Sequence, residues 1–341
     1  MTAPASPARP GGVGTGRPGF RAGCVAHLWT WRPYTLWYVG LVGLAGGALA
    51  SSDHPITPML AAWSVPTLVW VAAHYLGDYF DRRLDAISKP QRPIPSGRLR
   101  PGVAVTCGWA CVCSALVIAV IVNWRTAVVV AGAALGVVLY SRMFKARGVL
   151  GNLTRGVLTA AAFLFGSMMS TPLPPYQLLP MAAVFLAHDT ASNLVGTVRD
   201  VDGDRAGGYQ TLTVRHGVRF AVLTAMCFYT TAIVVATTGA SLIPHSSNDY
   251  LVFVVAAASL GFTSFGMLLG AGSGLTARAA LRAHEVLVVE RVVLASALIV
   301  PGLGLPAAVA LLVPALVVTG LSQATMRSRH EGCAEGVVHA T

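Results

Sequence analysis

Long apolar stretches with almost no charge recur along the whole chain and limit the folds open to it. Charged residues make up only 11% of the 341 residues, whereas soluble domains carry about 25%. Several stretches approach or exceed the roughly 20 residues that a helix needs to span a bilayer. Because these runs are continuous rather than alternating, they do not fit the strands of a membrane β-barrel. The sequence therefore predicts an all-α, polytopic protein embedded in a lipid bilayer and excludes an ordinary soluble domain.

Nine spans are predicted, and they form a transmembrane domain at 31–322 between a disordered basic tail at 1–30 and a C-terminal tail at 323–341. The last apolar stretch contains three prolines and is over-long for one helix, so it forms either one broken helix or two short ones. The spans are expected at 34–50, 61–80, 103–122, 127–144, 153–171, 177–198, 218–240, 251–272 and 292–320.

Basic residues alternate between the loops. The loops after spans two, four, six and eight are rich in Lys and Arg, whereas the intervening loops carry only Arg125. By the positive-inside rule, the N-terminus and the even-numbered exits are cytoplasmic. This topology accounts for the net charge of +11, so no nucleic-acid partner is expected. The side of the C-terminus stays open, because nine spans place it outside while Arg327 and Arg329 favour the inside.

Six of the 13 acidic residues lie in two short segments, at the ends of spans two and six. The charge pattern places both segments at the cytoplasmic face. Each segment contains carboxylates four residues apart, which share one helix face. Stacked like charges repel one another unless a cation lies between them. The residues concerned are Asp78, Asp81, Asp85, Asp200, Asp202 and Asp204.

Facing carboxylates of this kind suit Mg²⁺, which usually takes one or two carboxylates together with substrate phosphates. Basic residues follow or flank both acidic segments, and arginine binds phosphate oxygens in a bidentate manner. Acidic and basic side chains at one membrane face therefore indicate a metal–diphosphate site. The alternative is a pair of solvated helix ends with local salt bridges.

The two acidic segments resemble a known family. GDYFDRRLDAISKPQRPIPSG at 77–97 is similar to the first aspartate-rich motif of the UbiA superfamily of intramembrane prenyltransferases, and RDVDGDRAGGYQTLTVRHG at 199–217 is similar to the second. YSRMFKARGVLGNL at 140–153 resembles the family's loop between spans four and five, and Arg32–Pro33 resembles the start of its first helix. The likeness covers roughly 30–320, with both motifs in the family's order and spacing.

The resemblance implies a helical bundle around a central cavity, with Mg²⁺-dependent ionisation of a prenyl diphosphate at its cytoplasmic mouth. It implies that Asp81, Asp85, Asp200 and Asp204 bind the metal, with Asp78 and Asp202 as helpers. The side chains assigned to the diphosphate and its prenyl group are Lys89, Arg92, Lys145, Arg199, Asn193 and Tyr140.

Two positions depart from the family pattern. Gly77 stands where the family usually has Asn, and Thr197 stands where many members have Glu. Glycine has no side chain to ligate a metal or phosphate, so that contact is expected from Asp78 or His74.

Two ionisable residues, His188 and Asp189, lie midway along span six, where such groups are costly and usually functional. Asp189 shares a helix face with Asn193, and His74 shares one with Asp78. We hypothesise that Asp189 and His74 are catalytic and deprotonate an acceptor or quench a carbocation. An interhelical hydrogen bond is the alternative for Asp189 and the favoured interpretation for His188.

The leading functional prediction is transfer of a prenyl group to an aromatic or quinone-type small-molecule acceptor, with release of diphosphate. The main alternative is a terpene cyclase of the same fold, which ionises the same substrate and needs no acceptor. A transporter with acidic gates is a third class, but it predicts charges near the midplane and repeated halves. Here the acidic residues gather at one face.

Overall fold

A computed structural model describes residues 20–243 and 247–331 of the chain. These residues are almost entirely helical. The α-helices are α1 (Phe20–Trp31), α2 (Pro33–Ala50), α3 (Ile56–Ser88), α4 (Pro101–Asn123), α5 (Ala127–Leu139), α6 (Leu150–Ser170), α7 (Leu179–Arg199), α8 (Val201–Ala206), α9 (Leu212–His216), α10 (Val218–Thr238), α11 (Asn248–Gly270), α12 (Ala277–Ala297), α13 (Val300–Ser322) and α14 (Ser328–Glu331). Single 3₁₀ or π turns lie at Trp124–Thr126, Tyr140–Phe144, Tyr176–Leu178, Gly239–Leu242, Gly272–Gly274 and Gln323–Arg327.

Eight stretches of the described residues are long and apolar enough to cross a membrane. One of them, Pro101–Phe144, contains both α4 and α5, which meet at the turn Trp124–Thr126. The chain is therefore an all-α, multi-pass membrane protein, as the sequence predicts.

The predicted ninth span at 292–320 does not exist as one element. Its first residues are the end of α12, and the remainder is α13, which is kinked at Gly304 (φ 82°). One hydrogen bond shows that the two helices run antiparallel. Gln323 Nε2, just after α13, donates to the carbonyl of Glu285 in the first half of α12 (3.4 Å). Hydropathy misses α12 because five charged residues interrupt it: Arg278, Arg282, Glu285, Glu290 and Arg291.

Because α12 is an additional helix, α13 ends at the face of the bundle that carries both acidic segments. Residues 323–331, expected to be a tail, are helical and reach the mouth of the bundle. At the other end, α1 occupies part of the stretch expected to be disordered; residues 1–19 of that stretch lie outside the described residues. Helix α1 is held by Tyr75 Oη, which hydrogen-bonds His27 Nδ1 (2.6 Å) and accepts from Trp31 Nε1 (2.7 Å).

Two loops near the acidic segments are joined by backbone hydrogen bonds. Strand β1 (Arg147–Gly148), before α6, pairs in parallel with β2 (Gln210–Thr211), after α8. This pairing ties the predicted basic loop after α5 to the second acidic segment. It therefore holds Lys145 close to that segment despite a sequence separation of more than 50 residues.

Small residues allow the helices to approach closely at the centre of the bundle. A Cβ atom added to Gly166 on α6 would lie 1.8 Å from the carbonyl oxygen of Gly43 on α2. Membrane helices depend on such close contacts because lipid supplies little hydrophobic force for their association. The α2–α6 crossing therefore requires glycine at position 166.

Replacing Gly166 with Val should destabilise the protein by about 3 kcal/mol, because the added side chain forces α2 and α6 apart. The measurement is the midpoint of thermal unfolding in detergent micelles. Gly132→Val is the matched control, since a Cβ atom at Gly132 meets nothing within 4 Å. Equal midpoints for the two variants would show that the crossing tolerates a side chain.

Candidate functional site

A cavity of about 200 Å³ opens at the mouth of the bundle, between α2, α3, α5, α6, α7 and α12. Eleven of the fourteen residues predicted to form the site line it. They are His74, Asp78, Asp81, Arg92, Tyr140, Lys145, Asp189, Asn193, Arg199, Asp200 and Asp204. Asp85 and Lys89 line a smaller adjoining cavity of about 50 Å³, together with Asp200 and Asp204.

Asp202 is the one predicted residue that the structure does not bring to either cavity. Its side chain is 39% exposed and lies 3.7 Å from Arg205. Asp202 lies between Asp200 and Asp204 in sequence, so the turn of α8 directs it away from the face that they share. The position of Asp202 therefore does not support the prediction that it is a metal ligand.

The first acidic segment lies on one buried face of α3, and each of its carboxylates is paired with a base that lies outside this helix. Asp78 accepts from Arg32 Nη2 (2.5 Å) and Asp81 accepts from Lys145 Nζ (2.5 Å). Asp85 accepts from Arg92 Nη1 through both oxygens (2.9 and 3.0 Å). Burial lowers the pKa of Lys145, but the Asp81 carboxylate outweighs it and raises that pKa above its ordinary value.

The second segment follows the end of α7. Asp200 accepts from Lys89 Nζ (2.9 Å) and from Arg199 Nη2 (2.6 Å). Burial raises the pKa of Asp200, but Arg199 and Lys89 outweigh it and hold that pKa far below its usual range. Burial, followed by the neighbouring Asp200 carboxylate, raises the pKa of Asp204 to about 7. A cation bound at Asp204 would offset both causes.

Two carboxylate oxygens at the mouth are buried without a hydrogen-bond partner, Asp78 Oδ2 and Asp81 Oδ1. Such orphaned oxygens are costly and have the hard-donor character that Mg²⁺ prefers. Within 20–243 and 247–331, no three His, Cys, Asp or Glu side chains already form a metal-binding group. The reason is that Lys and Arg side chains stand between the carboxylates. The donor set fits Mg²⁺ once those bases move to an anion.

Arg32 has the only positive φ of a non-glycine residue in the described ranges (φ 49°). This backbone strain, which concentrates at functional sites, places the guanidinium between Asp78, His74 and His330.

Both ring nitrogens of His74 are already engaged. Nδ1 lies 2.7 Å from Arg32 Nη1, and arginine can only donate, so Nδ1 must accept. Thr35 uses its hydroxyl hydrogen on the Arg32 carbonyl (2.9 Å), so His74 Nε2 donates to Thr35 Oγ1 (3.1 Å). This arrangement leaves no ring nitrogen free to take a proton, so it does not support the prediction that His74 is a catalytic base. We reassign it as a residue that orients Arg32.

Asp189 lies deeper in the cavity. Its Oδ2 accepts from Thr159 Oγ1 on α6 (2.8 Å) and lies 3.9 Å from Arg155 Nε. Asp189 therefore makes the interhelical hydrogen bond of the alternative interpretation. It also lines the cavity, as a catalytic role would require. Asn193, one turn along α7, accepts from Asn152 Nδ2 through its Oδ1 (2.9 Å).

Two arginines that the sequence did not mark as site residues also face the cavity. Arg155 lies over the rings of Trp70 (4.1 Å) and Tyr140 (5.9 Å). Arg291 is 4% exposed, and its Nε and Nη2 have no hydrogen-bond partner. The only sequence signal for Arg291 was the charged pair Glu290–Arg291 inside an otherwise apolar stretch.

His188 has the structural role that the sequence favours. Its Nε2 lies 2.6 Å from Glu290 Oε2 on α12, and Glu290 Oε1 accepts from Tyr229 Oη on α10 (3.1 Å). All three residues are buried. The network joins α7, α10 and α12 behind the cavity.

The two departures from the family pattern have different consequences. Gly77 lines the cavity, and a Cβ atom there would meet nothing within 4 Å, so the missing side chain enlarges the cavity. Thr197 lines the same cavity and hydrogen-bonds Thr213 Oγ1 (2.8 Å), which fastens α9 to α7.

The comparison with known proteins decides the family. Residues 36–284 match the UbiA prenyltransferase family. The chain belongs to this family. The sequence-based prediction of a UbiA-type prenyltransferase is thereby confirmed.

The chain is similar to digeranylgeranylglyceryl phosphate synthase of Methanoregula boonei, with 30% identity over 253 residues that cover 71% of this chain and 88% of that relative. The enzyme of the same name from Methanothermobacter thermautotrophicus is 33% identical over 181 residues, covering 53% of this chain and 63% of that relative. Among solved structures, a UbiA homolog from Archaeoglobus fulgidus bound to GPP and Mg²⁺ has the same fold. Its TM-score is 0.63 at 14% identity, covering 89% of this chain and 99% of the homolog.

Replacing Glu290 with Ala should cost about 3 kcal/mol of stability, because His188 and Tyr229 are then buried without their partner. Thermal unfolding in micelles measures the effect. Glu285→Ala on the same helix is the control, since its side chain is half-buried and should tolerate truncation. A Glu290 variant as stable as the Glu285 variant would refute the structural role of the network.

Proposed function

We propose that this family member binds a prenyl diphosphate with Mg²⁺ at the mouth of the cavity and transfers the prenyl group to an acceptor that carries an anionic headgroup. One observation carries the proposal: both acidic segments and their basic partners converge on a single cavity that continues into an apolar one. The A. fulgidus homolog, which binds GPP and Mg²⁺, has the same fold.

The metal ligands in this proposal are carboxylates of the two segments. Asp78, Asp81, Asp85, Asp200 and Asp204 supply them, and the orphaned oxygens of Asp78 and Asp81 support the assignment. Bound Mg²⁺ would stabilise the negative charge that develops on the departing diphosphate.

The basic residues exchange partners when the substrate binds. Lys89, Arg92, Lys145 and Arg199 now neutralise the aspartates, and the same side chains are the donors available to diphosphate oxygens. Arginine and lysine at a buried mouth give strong, charge-assisted hydrogen bonds to phosphate. Leaving-group stabilisation then comes from donors already in place.

The prenyl tail has an apolar path from the mouth. A second cavity of about 50 Å³ is lined mainly by Val, Ala, Leu and Phe side chains of α2, α3, α5 and α6. Trp70, Ala73, Val137, Arg155 and Leu158 line both cavities, so the two are continuous. This apolar lining would exclude water from a carbocation formed where the two cavities meet. Trp70 lies at this junction, where its ring can stabilise the positive charge.

The acceptor class is proposed from Arg291 and from the relatives. A buried guanidinium with two unpartnered nitrogen atoms facing the cavity favours a phosphate or carboxylate there. The relatives are named for a glyceryl phosphate product. An anionic alcohol therefore replaces the aromatic or quinone-type acceptor as our first choice.

Asp189 is the proposed base in this reaction. It lines the cavity at the depth of Arg155, where the acceptor hydroxyl would lie. As the hydroxyl oxygen bonds to the prenyl carbon, Asp189 takes the hydroxyl proton and the diphosphate leaves. We further propose that this mouth faces the cytoplasm, from the excess of Lys and Arg in the loops around it.

Asp81→Asn and Asp204→Asn should each lower kcat at least about a hundredfold, because each removes charge that holds the metal and the leaving group. The assay follows diphosphate release from geranyl diphosphate with Mg²⁺ and acceptor. Asp202→Asn is the matched control and should retain activity within about threefold, because its exposed pair with Arg205 contributes little. Equal losses in all three variants would count against the proposed ligand set.

Arg291→Gln should raise the KM for geranylgeranylglyceryl phosphate about tenfold or more while leaving the KM for the prenyl diphosphate unchanged, since a charge-assisted hydrogen bond is lost. Arg282→Gln, exposed on the same helix, is the control. Turnover of an uncharged hydroquinone in preference to the phosphate acceptor would reject the anionic-acceptor proposal. A cyclic product formed without any acceptor would favour the cyclase alternative.

A further inference from the structure

The short helix α14 inserts a carboxylate into the basic residues at the mouth. Glu331 is 6% exposed and is surrounded by four cationic side chains and a phenol. Its contacts are Arg92 Nη2 (2.9 Å), Tyr34 Oη (3.0 Å), Lys89 Nζ (3.3 Å), Arg199 Nη2 (3.3 Å) and Arg32 Nε (3.7 Å).

Three of these cations are the ones that we assign to the diphosphate, namely Lys89, Arg92 and Arg199. A carboxylate that accepts from several convergent donors occupies the same kind of environment as a phosphate oxygen. Both anions need the same N–H groups, and these groups also serve Asp85 and Asp200. Glu331 and a bound diphosphate therefore compete for one set of donors.

Apart from the contacts of Glu331 itself, the short helix α14 is held through His330, which is buried. His330 Nε2 accepts from Arg32 Nε (3.0 Å), and its ring meets Trp29 edge-on. Ser328 and Arg329 are exposed. The helix has no apolar side chain, so it is held closed by His330 and Glu331 alone, and the partners of Glu331 are groups that a diphosphate would engage instead.

We propose that Glu331 competes with the substrate for the diphosphate subsite. It is carried on helix α14 (Ser328–Glu331), here called the strap, which a prenyl diphosphate displaces when it binds with Mg²⁺. This inference rests on the proposed function of the site. The strap keeps the buried cations paired, makes substrate binding weaker than the cations alone would allow, and returns to help expel the diphosphate product.

The opposite role makes the opposite prediction. If Glu331 positioned the cations for the substrate, or bound the metal with it, removing the carboxylate would weaken diphosphate binding. If it competes, removal strengthens binding, because four buried cations lose an anion that only the ligand can replace. The sign of the change in Kd therefore distinguishes the two roles.

The test measures the Kd of inorganic pyrophosphate with Mg²⁺ for the full-length wild type, Glu331→Gln and Glu331→Ala. We expect both variants to bind pyrophosphate roughly tenfold or more tightly than the wild type. Their thermal unfolding midpoints should be lower without pyrophosphate and recover with it. Arg329→Gln, in the same segment but exposed, is the control and should match the wild type. Unchanged or weaker binding by the Glu331 variants would overturn the proposal.

A second measurement uses the wild type and does not depend on how the variants fold. Limited trypsin digestion, followed by mass spectrometry, reports cleavage after Arg327 and Arg329. Pyrophosphate with Mg²⁺ should accelerate this cleavage, because the strap leaves its place. Slower or unchanged cleavage would overturn the displacement.

The two proposals fail in different ways. Magnesium-dependent pyrophosphate binding that is equal in wild type and Glu331 variants leaves the proposed function standing and removes the competitor. Absence of magnesium-dependent binding in every variant removes the diphosphate site itself, and the competitor with it.

Discussion

Charge pairing at the edge of an apolar bundle is the constraint on which the site depends. A carboxylate or guanidinium buried without compensation costs several kcal/mol, and five carboxylates of the two acidic segments meet at one mouth. Three of the cations that balance them come from another segment: Arg32 before α2 pairs with Asp78, Lys145 after α5 pairs with Asp81, and Lys89 after α3 pairs with Asp200. The ion pairs therefore fix the relative positions of helix ends that share no sequence proximity.

The same pairing explains how the site can exchange ligands. Asp81, Asp85 and Asp200 are paired with bases that a diphosphate can also engage, so a metal and a diphosphate bind by redistributing partners rather than by entering an uncharged pocket. Burial, followed by the Asp200 carboxylate, raises the pKa of Asp204 to about 7, and a nearby cation would favour its charged form. Glu331 takes part in this exchange as an anion supplied by the chain itself. Farther in, apolar walls replace charge, which suits a cation that water would quench.

Hydropathy and motif spacing predicted the all-α membrane fold and the convergence of the two acidic segments, and eleven of the fourteen predicted site residues line the cavity. They failed where a helix carries charge in its interior. Helix α12 contains Glu290 and Arg291, which lower its mean hydropathy. In the fold, however, Glu290 forms hydrogen bonds with His188 and Tyr229 from two other helices. Such compensation depends on packing between helices, so a local average over sequence cannot detect it.

The sequence by itself determined the bilayer environment, because the apolar runs leave no other solvent for the helices. It also determined which acids share a face, because that follows from the helical period. Only the tertiary structure decided the partners of those acids, the engagement of His74 by Arg32, the exclusion of Asp202 and the insertion of Glu331 beside Lys89, 242 residues away. These outcomes depend on distances between helices, and a buried charge takes whichever partner the packing brings within reach.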